Sequence, residues 1–227
     1  MAPAEIQAIE LSLVIAGWAV AGSLPVGIFL AWVLSRLSFP GKTLLDALVH
    51  LPLVLPPVVT GYLLLLLLGR RGPIGGWLFD KLGLSLAFNW KGAVIAAVVM
   101  ALPLMVRAIR LSFDSVDRGL EDAAGTLGAG PWRVFFTITL PLTVPGVLTG
   151  SILAFARALG EFGATITFVS NIPGETRTIP LAIYSLTQVP DGEAPALKLC
   201  LIAVGISLVS LVFSEFLAGK AARVIRG

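Results

Sequence analysis

Five apolar runs, each near the length a bilayer demands, constrain this chain more than any other feature. They cover residues 9–34, 44–69, 93–109, 142–159 and 197–217. A helix needs about 20 mostly apolar residues to cross a hydrocarbon core of ~30 Å; the third and fourth runs lie near the lower limit. Composition agrees: 57% of residues are hydrophobic and 13% charged, against about 25% charged in a soluble domain. Too little polar surface remains to cover a water-soluble fold. The expectation is an all-α integral membrane protein with about five transmembrane helices in a single domain, residues 1–227. The first residues carry Glu5 and Glu10 but no Lys or Arg. A signal peptide wants a positive start, so the first run is read as a permanent span.

The connections differ in kind. Residues 36–42 make a tight turn, and residues 70–91 make a longer loop holding Gly72-Pro73 and Gly75-Gly76. Residues 161–195 are too polar and β-branched for an ordinary lipid-facing span. Irregular backbone at that depth survives only against protein or a water-filled path. Five spans put the termini on opposite sides. Lys220, Arg223 and Arg226 favour a cytoplasmic C-terminus and an N-terminus outside. The net charge of +3 is spread along the chain, so no basic run points to nucleic acid. Cys200 is the single cysteine, which leaves no intrachain disulfide.

Between the third and fourth spans, on the cytoplasmic side of this topology, the chain turns polar. Leu120, Ala123, Ala124 and Leu127 recur at helical spacing and share one face. Asp117 can cap the start, and Gly128, Gly130 and Pro131 end the pattern. A rod of roughly 15 Å cannot span a membrane. A helix lying on lipid would set Trp, Phe or Leu against several Lys or Arg; this one carries Glu121 and Asp122. Its small apolar face suits a shallow protein cleft.

Asp122-Ala123-Ala124, Gly128, Ile138 and Leu140-Pro141, at their spacing, resemble the EAA loop of binding-protein-dependent ABC importer permeases. One departure is Asp122 in place of the motif's Glu, with Glu121 beside it. Residues 39–42, 50–65, 126–143 and 155–180 are further similar to the molybdate permease family across nearly the whole chain. The resemblance implies a type I ABC importer permease working as a homodimer in a bacterial cytoplasmic (inner) membrane. Its partners would be an ABC ATPase subunit, a periplasmic or extracellular oxyanion-binding protein and lipid. It implies that residues 118–130, with Leu120, Glu121, Asp122, Ala123, Ala124, Leu127 and Gly128, form a cytoplasmic coupling helix docked on the ATPase. No cofactor is expected on this chain; ATP and Mg would be used by the partner. Sulfate or thiosulfate is the rival cargo. A secondary transporter or channel is the rival class, but it leaves the coupling motif unexplained.

Other residues admit plain and functional readings. Gly41-Lys42-Thr43 ends like a P-loop, but Arg36 stands where that pattern needs glycine, so ATP chemistry is not expected here. Pro52, Pro56 and Pro57 make either a kinked helix or a broken one lining the path. Arg157 and Glu161 are four apart and should pair, since a lone charge at the bilayer centre costs about 2.5–3.5 kcal/mol. The pair is either structural or a gate contact. Thr165, Thr167, Ser170, Asn171, Thr176 and Thr178 either close an irregular loop or offer dispersed donors to a weakly held oxyanion. His50 is read as an isolated helix-end residue, and no cluster suggests a metal site.

Overall fold

The computed structural model describes residues 2–226, and these form helices joined by turns, with no strand among them. Four helical stretches are long and apolar enough to cross a membrane by themselves: Pro3–Arg36, Trp90–Asp114, Pro131–Leu159 and Glu193–Phe213. A fifth crossing is available only if a bent pair, Lys42–Val54 and Pro57–Leu68, counts as one span. The side chains of Lys220, Arg223 and Arg226, on which the expected orientation partly rests, lie outside the described residues.

In chain order the helices are α1 (Pro3–Arg36), α2 (Lys42–Val54), α3 (Pro57–Leu68), α4 (Pro73–Leu82), α5 (Trp90–Asp114) and α6 (Arg118–Thr126). There follow α7 (Pro131–Val134), a π-turn (Phe135–Thr139), α8 (Leu140–Leu159), α9 (Gly163–Val169), α10 (Ile179–Leu186) and α11 (Glu193–Arg226). The α7, π-turn and α8 segments run on as one span. The apolar run at 142–159 therefore belongs to a longer helix that starts at Pro131.

Helices α1, α5 and α8 form the centre of the molecule. Ala16, Ala19, Ala93, Ala96, Ala97 and Met100 are buried together where they meet. In lipid there is no hydrophobic drive between helices, so association relies on close packing of small residues. Lower in the same bundle, Leu34, Met105, Ile109 and Phe113 make a second buried cluster.

The proline-rich second run is not one straight rod. Residues 55 and 56 leave the helical ladder, and α3 departs from α2 at 113°. Pro56 and Pro57 provide no amide hydrogens for a continuing ladder, and Pro57 sits at the first position of α3, where that loss matters least. Two stretches read as loop also contain helix. Residues 73–82 form α4, opened by Pro73 and closed by Gly83 in the left-handed region. The β-branched stretch around Thr165 forms α9, because tertiary packing overrides local propensity. Ala164, Phe168 and Val169 are fully buried, and α9 lies so close to α3 that a Cβ on Gly61 would stand 2.5 Å from the Ala164 carbonyl oxygen.

Candidate functional site

Three polar regions stand out on this apolar frame. The first is α6. Asp117 caps it by accepting the Gly119 amide at 2.8 Å. After Leu127 the chain turns at Gly128, whose φ of +83° is a conformation that costs other residues about 1–2 kcal/mol. Leu120, Asp122, Ala123 and Leu127 are exposed, and Ala124 is half-buried. Leu120 is 50% and Leu127 88% exposed, so among the described residues most of the apolar face is uncovered. Trp132 and Phe136 extend that surface and stack on each other, ring centres 6.4 Å apart. The sequence gives only one hint of this extension, namely aromatics placed just after a helix stop.

Glu121 does something its neighbour does not. Its Oε1 accepts from Arg36 Nη2 at 3.0 Å and from Thr139 Oγ1 at 2.6 Å. Arg36 ends α1, and Thr139 ends the π-turn at the base of α8. Glu121 therefore latches the short helix to two spans at once, and Asp122 alone of the acidic pair remains outward. Neither Arg36 nor Thr139 could be singled out from local patterns, since they lie 85 and 18 residues from Glu121. The π-turn also sends Phe135 inward, edge-on to Trp32 at 6.1 Å.

The second region surrounds α9. Glu161 is 2% exposed. Its Oε2 stands 2.6 Å from Arg157 Nη1, an ion pair by distance without hydrogen-bond alignment. Its Oε1 accepts the Ala164 amide at 2.8 Å. One carboxylate thus compensates a cation on α8 and caps α9, where anions are favoured. Thr165 is buried. The Thr167 hydroxyl donates to the Gly163 carbonyl of its own helix. Asn171 Nδ2 donates to Ser185 Oγ at 2.7 Å, Arg177 Nε donates to Asn171 Oδ1, and Thr176 donates to the Ser170 carbonyl. Thr167, Asn171 and Thr176 therefore make hydrogen bonds within the chain. Pro52 is half-buried in α2, and Pro56 and Pro57 are exposed at the break.

The third region was missed in the sequence. His50 lies inside α2 with a carboxylate partner, which corrects its reading as an isolated helix-end residue. Its Nδ1 is 3.2 Å from Asp46 Oδ1 and 2.9 Å from the Asp46 carbonyl. Asp46 also takes Arg110 Nη1 at 3.1 Å from α5. The i to i+4 spacing of Asp46 and His50 was the available signal; their meeting with α5 was not readable. In the P-loop-like stretch Gly41 precedes α2 in the left-handed region and Lys42-Thr43 open that helix, with Lys42 Nζ donating to the Leu37 carbonyl at 3.0 Å. Among the described residues, no group of three or more His, Cys, Asp or Glu could hold a metal ion.

Comparison with known proteins agrees with this architecture. The chain is 64% identical over 214 residues to the molybdenum transport system permease protein ModB of Escherichia coli K12, covering 94% of this chain and 93% of that one. It is 60% identical to ModB of Haemophilus influenzae, covering 95% and 94%. The solved bacterial ABC transporter involved in import of the acidic polysaccharide alginate has the same fold, with a TM-score of 0.73 at 18% identity over 99% of this chain and 81% of that one. The family described as "binding-protein-dependent transport system inner membrane component" matches residues 23–223. The chain belongs to that family: it is a multi-pass, all-helical permease of the ABC importer type.

Proposed function

We propose that two copies of this chain enclose the membrane path of an ATP-driven importer for molybdate, with tungstate as a close substitute. Similarity at 60–64% identity along nearly the full length to molybdenum transport permeases carries this reading. The N-terminus faces outward and the C-terminus lies in the cytoplasm. A separate ATPase subunit binds and hydrolyses ATP with Mg, and docks on the outer face of α6 through Leu120, Asp122, Ala123 and Leu127. A binding protein delivers the oxyanion from outside.

The geometry supports a mechanical role for α6. Force on its exposed face passes through Glu121 to Arg36 and Thr139, and so to the ends of α1 and α8. At the far end of α8, Glu161 caps α9, and α9 lies against α3 beside the proline break. Closure of the ATPase pair would therefore shift α8 and α9 against the α2–α3 elbow, opening the path outward. Hydrolysis resets it. Short-lived contacts suit the path itself, because a dianion held tightly would stall.

The test is uptake of radiolabelled molybdate at nanomolar concentration in cells with and without the gene. High-affinity uptake is expected to vanish on deletion, and excess molybdate to restore molybdoenzyme activity. Tungstate should compete well. Sulfate should compete poorly, because a smaller ion leaves donors in a molybdate-sized binding protein unpaired at about 1–3 kcal/mol each. Unchanged molybdate uptake with lost sulfate uptake would transfer the assignment to sulfate.

A further inference from the structure

We infer that the pocket between α2 and α5 is a transient site for a tetrahedral oxyanion on the cytoplasmic side of the path. The inference rests on the importer reading above. The pocket has a volume of about 240 Å³ and is lined by Asp46, His50, Arg107 and Arg110. Every lining residue is charged or titratable, in a chain that is only 13% charged.

The four side chains have different commitments. Arg110 is held by Asp46 at 3.1 Å and lies 3.8 Å from Asp114. Both close partners of His50 Nδ1 are oxygens of Asp46, so Nδ1 carries the hydrogen and Nε2 remains uncommitted. Arg107 is exposed, and no carboxylate among the described residues pairs with it. Arg110 is compensated by Asp46 and Asp114, so the positive charge open to an anion is that of Arg107. A guanidinium fork matches two oxygens of a tetrahedral anion at once. Asp46 offsets part of the charge, which shortens residence and suits release.

The location fits an exit step. Arg107 precedes the end of α5 at Asp114 by about 10 Å at 1.5 Å per residue, on the side of α5 that leads into α6. Helix α2 has no fully buried residue, and it leads to the 113° break. Charges and irregular backbone at membrane depth face protein or water rather than lipid tails. A snorkelling arginine needs no partner on another helix, yet Arg110 is tied across to Asp46. The phosphate of an anionic lipid headgroup shares the same chemistry and can occupy basic pockets on the cytoplasmic side. The elbow and the bridging acid favour the transported ion.

The experiment uses the permease with its ATPase in nanodiscs of phosphatidylcholine, without binding protein, and measures equilibrium binding of radiolabelled molybdate. Arg107→Gln should weaken the permease-dependent binding at least tenfold. Arg107→Lys should weaken it two- to threefold, because the charge stays and the fork is lost. Asp46→Asn should tighten binding and slow uptake in cells, an outcome that a purely structural aspartate would not produce. Size-exclusion profiles and ATPase association establish that each variant is folded. Equal binding by wild type and Arg107→Gln overturns the site. Loss of molybdate binding when phosphatidylglycerol is added to the discs assigns the pocket to lipid phosphate and overturns the exit role. Intact molybdate uptake with binding indifferent to Arg107 defeats this inference alone; absent molybdate uptake in wild-type cells defeats the proposed function.

Discussion

Two arginine–glutamate pairs serve opposite purposes in this molecule. Arg157 and Glu161 meet at the C-terminal end of α8, where the Glu161 side chain is 2% exposed and that of Arg157 25%, so the carboxylate is sealed while its cation reaches the surface. Arg36 and Glu121 come from distant parts of the chain and meet at 3.0 Å, with side chains 10% and 19% exposed. The first pair compensates charge inside the membrane domain and starts α9. The second attaches a surface helix to the spans. The same two residue types thus give a packed corner in one place and a tie between distant helices in another, and the difference lies in what each carboxylate's second oxygen or second donor reaches.

Removing the cation beside the sealed Glu161 carboxylate should have the largest effect. Arg157→Ala leaves a buried carboxylate without its cation and should cost about 3–5 kcal/mol, read as a lower unfolding temperature in detergent. Glu161→Gln together with Arg157→Met should recover most of that loss, since an amide oxygen can still accept from Ala164. An Arg157→Ala protein as stable as wild type would show that the corner is not sealed in the assembled transporter.

The latch should be more tolerant of mutation in stability and less tolerant in function. Arg36→Ala leaves Glu121 with Thr139 alone and should cost about 1–3 kcal/mol. Thr139→Val removes a neutral donor to a carboxylate and should cost toward the lower end of that range. In both, ATP hydrolysis by the complex should persist while uptake falls, at least tenfold for Arg36→Ala. Wild-type uptake by a folded Arg36→Ala protein would leave the two pairs without the functional contrast drawn here.

Gly128→Val should cost no more stability than Arg36→Ala. No atom lies within 4 Å of the added Cβ, so only the backbone strain of about 1–2 kcal/mol remains. Membrane insertion should be normal, while co-purification of the ATPase weakens and uptake is lost. Normal uptake with normal ATPase association would remove the turn after α6 from the coupling surface.

The sequence by itself determined the class of fold and the family. Apolar length and composition require membrane helices, because lipid leaves no other partner for the backbone. A short helix also stands at residues 118–126, where the spacing of Leu120, Ala123 and Ala124 between Asp117 and Gly128 placed one. Caps, turns and periodicity act within a few residues, so they are legible locally. Tertiary structure decided the rest. The prolines at 52, 56 and 57 allowed a kink or a break, and packing of α3 against α9 accompanies a break of 113°. The β-branched run at 163–169 became helix because Glu161 caps it and α3 buries it. Glu121 acquired its latch, and His50 its place beside Asp46, Arg107 and Arg110, only when helices far apart in the chain came together. Such meetings depend on which faces pack, and a linear sequence carries that information only through the whole fold.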